Sequence, residues 1–399
     1  MLGSSKKYIR SSQKPRKSIL ISLFNNLLKL PKIYLLPILL SPQFAFAEYG
    51  FNLPEGVTSV SKNIYGLHMI IFWVCVAIAI IVFGAMIYSM IFHRKSRGAV
   101  ASNFHESTAI ELLWTLVPLA ILIAIAVPST RVLIDLENTD EADMTVKITG
   151  YQWKWQYEYI EQDISFFSNL TDTQRNAIKD DASREGMKNY LLEVDNHLVL
   201  PVGKRIRFLM TSNDVIHSWW VRELGVKQDA NPGFINDAWA KIDKPGIYRG
   251  QCAELCGKDH GFMPVVVEAV SEADYATWLN DQKEKQKAIA ASSGKEWSQE
   301  DLMAQGQKVY SSTCASCHGV TGAGIPGVFP ALTGSSIANN SDPKGHIDIV
   351  LNGKAGTAMQ AYGKQLSDSD LAAVITYERN ALGNKVGDLV QPSTIKSAR

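Results

Sequence analysis

Residues 251–263 read Gln-Cys-Ala-Glu-Leu-Cys-Gly-Lys-Asp-His-Gly-Phe-Met, which sets Cys252, Cys256, His260 and Met263 at steps of four, four and three. Two thiols, an imidazole and a thioether can converge from one such loop, so the run is a metal-ligand set. Zinc accepts Cys and His readily, whereas thiolate, imidazole and a weak thioether together suit copper. Another imidazole is needed, and His217 supplies it shortly after the alternating run Arg-Ile-Arg-Phe-Leu-Met-Thr that starts at Arg205. A structural zinc knuckle of two Cys and two His is the competing reading of the loop alone.

A second constellation lies downstream. Cys314-Ala-Ser-Cys317-His318 is the C-x-x-C-H pattern, in which both thiols form thioethers to porphyrin vinyl groups and the His becomes an iron ligand. Pro330 follows twelve residues after His318, where a Pro carbonyl can engage the proximal imidazole. Met359 is the candidate sixth ligand; Met303 is the alternative, on a helix expected to pack away from the open haem face. A thioether ligand raises the iron potential relative to two imidazoles. Dithiol redox chemistry is the other use of Cys-x-x-Cys, but the adjoining His and the lack of a βαβ pattern argue against it.

These motifs carry a resemblance. His217 with Cys-x-Glu-x-Cys-x-x-x-His-x-x-Met closely resembles the dinuclear copper A site of cytochrome c oxidase subunit II, which is built on a cupredoxin-like domain. The resemblance implies that Cys252 and Cys256 bridge two copper ions and that His217 and His260 each cap one. Met263 and the backbone carbonyl of Glu254 would complete the shells, and sharing one electron across both metals keeps the geometry nearly unchanged on reduction. The Glu254 side chain would help to hold magnesium at a subunit interface; magnesium wants about six oxygen ligands, so such a site must be shared with another chain. Residues 298–385 resemble a class I cytochrome c domain.

Elements must position these ligands. At 399 residues the chain implies two or three units, and 40 basic against 39 acidic residues give no case for nucleic-acid binding. Four of the five cysteines fall in the two ligand groups, so no disulfide framework is indicated, and Cys75, alone in an apolar run, is expected to be packed and inert. Residues 1–47 read as a secretory signal peptide, with a basic start, a short apolar run from Ile33 and Ala45-Phe-Ala47 at the end. Residues 48–130 read as a transmembrane hairpin with apolar spans over about 67–92 and 109–128, each long enough to cross roughly 30 Å of hydrocarbon. The loop between them begins His93-Arg-Lys-Ser-Arg97, which by the positive-inside rule is cytoplasmic and leaves everything after Pro128 outside. Glu111 stands near the cytoplasmic end of the second span, and an ionisable group at that depth is a functional candidate. The resemblance matches it to the Glu at the mouth of a proton-uptake path into subunit I.

Residues 140–270 read as an all-β cupredoxin-like domain of short strands broken by Gly and Pro. Its first strand alternates from Met144 through Tyr159 and sets Trp153, Trp155, Tyr157 and Tyr159 on one face. In the family the first Trp of such a row receives the incoming electron above the copper pair, and the match is Trp153. Residues 161–190 read as polar and helix-prone, and His197 as a surface residue without a partner. Residues 271–297 read as a charged helix and flexible linker, with a boundary near Gly294, and 298–385 as an all-α cytochrome c domain whose closing helix packs on the helix carrying Gly306 and Tyr310.

The sequence thus points to a multi-domain membrane protein: a two-helix hairpin, a cupredoxin-like domain and a cytochrome c domain. The resemblance implies subunit II of a proton-pumping cytochrome c oxidase of caa type in a bacterial inner membrane, its copper and haem domains on the periplasmic side. Its partners would be subunits I and III, membrane lipid, and a cytochrome c or cytochrome bc complex as donor. Two other readings fit parts of the pattern: the copper A subunit of a nitric oxide reductase, and a membrane-tethered metal-binding protein without electron traffic.

Overall fold

The computed structural model describes residues 52–399 except 102, 104, 179, 180 and 293, and the side chain of Asp181 is not described; the signal-peptide segment lies outside the described residues. Two long apolar helices come first, α1 (Ser59–Phe92) and α2 (Thr108–Glu137). At 1.5 Å per residue they are about 51 and 45 Å long, more than a hydrocarbon core requires. Both outrun the apolar spans because polar ends continue each helix to the β domain. Thr58 caps α1 by accepting from Ser61 N–H, and its hydroxyl donates to the Leu224 carbonyl at 2.8 Å. Lys62 pairs with Asp243 at 2.6 Å. At the other end, Trp239 Nε1 donates to the Asp135 carbonyl at 3.0 Å. The start of α1 and the end of α2 are therefore both fastened to the sandwich, with the basic loop at the far end. Cys75 makes no buried packing within this chain, lying on the surface of a helix long and apolar enough to cross a membrane.

The sandwich has two five-stranded sheets. One runs β3 (Ile164–Ser168), β2 (Lys154–Tyr159), β1 (Met144–Tyr151), β5 (Arg205–Ser212), β8 (Asn236–Lys241); the other runs β4 (Leu198–Pro201), β10 (Val265–Val270), β9 (Gly246–Cys252), β6 (His217–Val221), β7 (Val226–Ala230). Val146, Ile148, Trp155, Tyr157, Phe208, Trp219 and Val267 fill the space between them. The single strand expected from Met144 through Tyr159 is instead a hairpin that turns at Gln152–Trp153. Alternation resumes after the turn, so Trp155, Tyr157 and Tyr159 share the buried face while Trp153 sits half-buried in the turn. The 161–190 stretch contains β3 and two short helices, α3 (Asp172–Ala177) and α4 (Asp181–Arg184). His197 is not solitary: its Nδ1 lies 2.8 Å from Glu268 Oε2 on the neighbouring strand β10.

Helix α5 (Glu272–Ser292) leaves β10 and packs Tyr275 and Trp278 against Tyr159 and Phe166. The expected flexible connection is tied down at both sides, by Ser292 Oγ to Ser369 Oγ at 3.1 Å and Trp297 N–H to Gln391 at 2.9 Å. The C-terminal helices are α6 (Gln299–Val309), the short α7 (Ala315–His318), α8 (Lys344–Asn352), α9 (Asp368–Asn380) and α10 (Pro392–Ala398). Helices α6 and α9 cross at Gly306, where a Cβ would come within 2.6 Å of Tyr377 Cβ and closer still to the Ala373 carbonyl.

Candidate metal and haem sites

Strand register assembles the first site. Strand β6 pairs with β9 so that Trp219 lies opposite Cys252, which brings His217 at the start of β6 over the thiol at the end of β9. The loop then folds back: Cys252 Sγ and Cys256 Sγ are 3.9 Å apart, Cys256 Sγ is 3.5 Å from His260 Nδ1 and 3.4 Å from Met263 Sδ, and Cys252 Sγ is 3.3 Å from the Glu254 carbonyl. His217 Nδ1 is 3.9 Å from Cys252 Sγ. All six candidate donors thus converge, with His217, Cys252, Cys256 and Met263 buried. The thiols are free and unbridged. A hydrogen bond shared with Cys256 and another with His217 hold Cys252 well below the ordinary thiol range. The same hydrogen bond and the charge beside it push Cys256 up. Two sulfurs beside two imidazoles and a thioether make a donor set that fits copper.

The surroundings fix these donors. His217 gives its other nitrogen, Nε2, to Asp214 Oδ1 at 2.8 Å, the outer partner that orients a ligating imidazole. Burial works to lower the His217 pKa, but the hydrogen bonds to Asp214 and Cys252 outweigh it and raise the value. Trp155 meets His217 edge-on with ring centroids 5.8 Å apart, and its Nε1 donates to the Met263 carbonyl at 3.2 Å. Gly257, at φ 113°, turns the loop where Trp153 and Gln152 press against it, and both side chains donate to the Cys256 carbonyl, at 3.1 and 2.8 Å.

The second site is a cavity of about 320 Å³ in the C-terminal domain. Cys314, Cys317, His318 and Met359 all line it, while Met303 is not among its walls. His318 Nδ1 faces the Pro330 carbonyl at 2.9 Å, so Nε2 is the nitrogen left for a ligand. Burial pushes both thiols up, Cys314 the further. An apolar cavity with two thiols, one oriented imidazole and a thioether fits a covalently attached haem.

Residues 144–270 match the family described as cytochrome c oxidase subunit II, periplasmic domain, and residues 47–132 match its transmembrane domain. The chain is 38% identical over 253 residues to the probable cytochrome c oxidase subunit 2 of Rickettsia bellii (strain RML369-C), covering 62% of this chain and 91% of that one. The chain belongs to the cytochrome c oxidase subunit II family. Its identity to the Cereibacter sphaeroides subunit 2 is 37% over 243 residues, covering 58% of this chain and 79% of that one. Among solved structures, the periplasmic domain of subunit II from Bradyrhizobium japonicum is 40% identical, covers 37% of this chain and 98% of that chain, and has a TM-score of 0.33. Residues 301–377 match the family described as cytochrome c oxidase, cbb3-type, subunit III, so this subunit II carries a fused cytochrome c domain.

In this subunit II the Trp153 indole lies between the two sites: it hydrogen-bonds the Cys256 carbonyl and lines a narrow cleft shared with Ser312, Thr313 and Ser316. Glu111 occupies the first turn of α2, at the end away from the sandwich, its Oε1 3.4 Å from Ser107 N–H. The Glu254 side chain is exposed while its carbonyl turns toward Cys252. Sequence reasoning missed Asp214, Lys154, Lys258 and Gln360. Three of these sit within three residues of a candidate ligand, a signal that proximity alone could have raised; Lys154 follows Trp153 and carried no such mark.

Proposed function

We propose that this chain is the electron-accepting subunit of a membrane haem-copper oxidase in a bacterial inner membrane, with both redox centres outside the cytoplasm. Cys252, Cys256, His217, His260, Met263 and the Glu254 carbonyl would together hold two copper ions. Cys314 and Cys317 would hold the haem covalently, and His318 and Met359 would hold its iron. When bound, these groups supply one-electron chemistry at potentials set by their ligands.

The chain's own residues do the rest. Asp214 and Pro330 hold His217 and His318 in the orientation a metal needs, and the sandwich excludes water from Cys252, Cys256 and Met263. Trp153 bridges the space between the copper loop and the haem attachment segment, the position from which it would pass on the electron brought by a cytochrome donor. The relay ends in subunit I, where oxygen would be reduced to water and protons pumped. Glu111 at the cytoplasmic end of α2 would help protons enter that subunit, and Glu254 would offer one oxygen to a magnesium ion shared with it.

The observation that carries this reading is the juxtaposition of the His217, Cys252, Cys256, His260 and Met263 donors and a cavity lined by Cys314, Cys317, His318 and Met359 on one chain, with Trp153 between them. A redox-titrated visible and near-infrared spectrum of the full chain in detergent tests it. A c-type haem band together with mixed-valence copper absorption is expected. Haem accompanied by a single zinc ion would refute it.

A further inference from the structure

We propose that Gln360 is a latch that seats the haem-binding domain on the copper face and fixes their mutual orientation; this rests on the two-centre reading above. Gln360 follows Met359 directly, and its Nε2 donates to Asp214 Oδ2 at 2.8 Å. The other oxygen of the same carboxylate holds His217 Nε2 at 2.8 Å. Asp214 is a rigid strike plate for this latch. It also accepts from the backbone N–H of Gln152 at 2.8 Å and of Val215 at 2.7 Å, with Ser212 Oγ 3.4 Å away, and its side chain is 13% exposed. A hydrogen bond from a neutral amide to such a carboxylate is charge-assisted.

The neighbouring contacts follow the same plan. Lys258, two residues past Cys256, donates to the Ser316 carbonyl at 2.9 Å, between the two attachment cysteines. Lys154 Nζ stands 5.5 Å from the Tyr362 ring centroid. Gln360, Asp214, Lys258 and Ser316 each lie within three residues of a candidate ligand, so the interface is made from the neighbourhoods of both ligand sets. Docking through them turns the Cys314–Cys317 edge of the haem cavity toward the copper loop. The residue type at 360 matters: Glu would set a second carboxylate against Asp214, and Lys would compete with His217 for it. Gln satisfies Asp214 without taking its charge, which leaves the carboxylate free to orient the imidazole. Gln360 is therefore a positioning residue.

The test uses the detergent-solubilised oxidase complex carrying the parent chain, Gln360→Ala or Gln360→Glu. Hydrogen exchange is followed over residues 312–319, 354–362 and 254–259, together with haem and copper absorption and the transfer rate after flash reduction of the haem. Losing one charge-assisted bond should quicken exchange on both faces about tenfold in Gln360→Ala, and by more in Gln360→Glu. The transfer rate should fall in step while both absorption spectra stay as in the parent. Parental exchange, or a parental transfer rate, in both variants overturns the latch. A shifted haem spectrum in both, including the isosteric Gln360→Glu, assigns Gln360 to haem packing and equally overturns it. Missing copper absorption in the parent itself would strike the two-centre reading instead.

Discussion

Replacing Gly150 with Ala should loosen copper without touching haem. Gly150 lies on β1 against the face of His217, and a Cβ there would stand 2.7 Å from Cδ2 and 2.9 Å from Cγ of the imidazole. Carbon atoms at rest sit about 3.5–4.0 Å apart, so the ring must retreat by roughly 0.8 Å. It has little room: His217 is fully buried, held by Asp214 at 2.8 Å and edged by Trp155. Overpacking of this kind costs about 1–3 kcal/mol of stability. The cost at the metal is larger in proportion, because ligand distances tolerate only about 0.2 Å and disturbed outer contacts weaken metal sites by about 10–100-fold. The assay is copper per haem after dialysis of the purified complex against graded concentrations of a chelator. Gly150→Ala should release copper at chelator levels about 10–100-fold lower than the parent, with haem content unchanged. Equal copper retention across the whole series would refute the claim that backbone packing sets the place of His217.

Two further outcomes follow from packing and charge. Gly306→Ala puts a methyl group into the Ala373 backbone at the α6–α9 crossing, which should lower the haem domain's unfolding midpoint by the equivalent of several kcal/mol and leave copper absorption intact; a midpoint within a degree of the parent contradicts this. Burial brings Lys154 down to about 8 from 10.5, so between those values the unfolded chain binds more protons and native stability rises with pH. Below pH 8 the buried charge costs roughly 3 kcal/mol, offset in part by the Phe167 ring whose centroid lies 4.3 Å from Nζ. Lys154→Met should therefore flatten the rise in denaturation midpoint between pH 8 and 10, and parallel profiles for the two proteins would be inconsistent with this.

Much of the metal chemistry is legible in sequence because its donors are local. Cys252, Cys256, His260 and Met263 occupy twelve residues, and Cys314, Cys317 and His318 occupy five. The helices are equally plain, since long apolar runs have few alternatives. The turn at Gln152–Trp153 is not legible: it contains no Gly, Pro or Asn, and aromatic residues on both sides keep the two-residue alternation running through it. Pairings over long separations are hidden for a related reason. His197 with Glu268 spans 71 residues and Asp214 with Gln360 spans 146, and neither partner advertises the other. The alternation of β5 predicts which of its faces is buried but not that β1 will lie parallel beside it, and the same silence covers how one folded unit rests on another.

Helix α5 makes the haem domain a permanent neighbour of the copper face. A covalent connection makes the meeting of the two units an intramolecular event, so a contact too weak to hold two free proteins together can still be kept. Selection can then keep the interface small and polar, as Gln360, Lys258 and Lys154 make it.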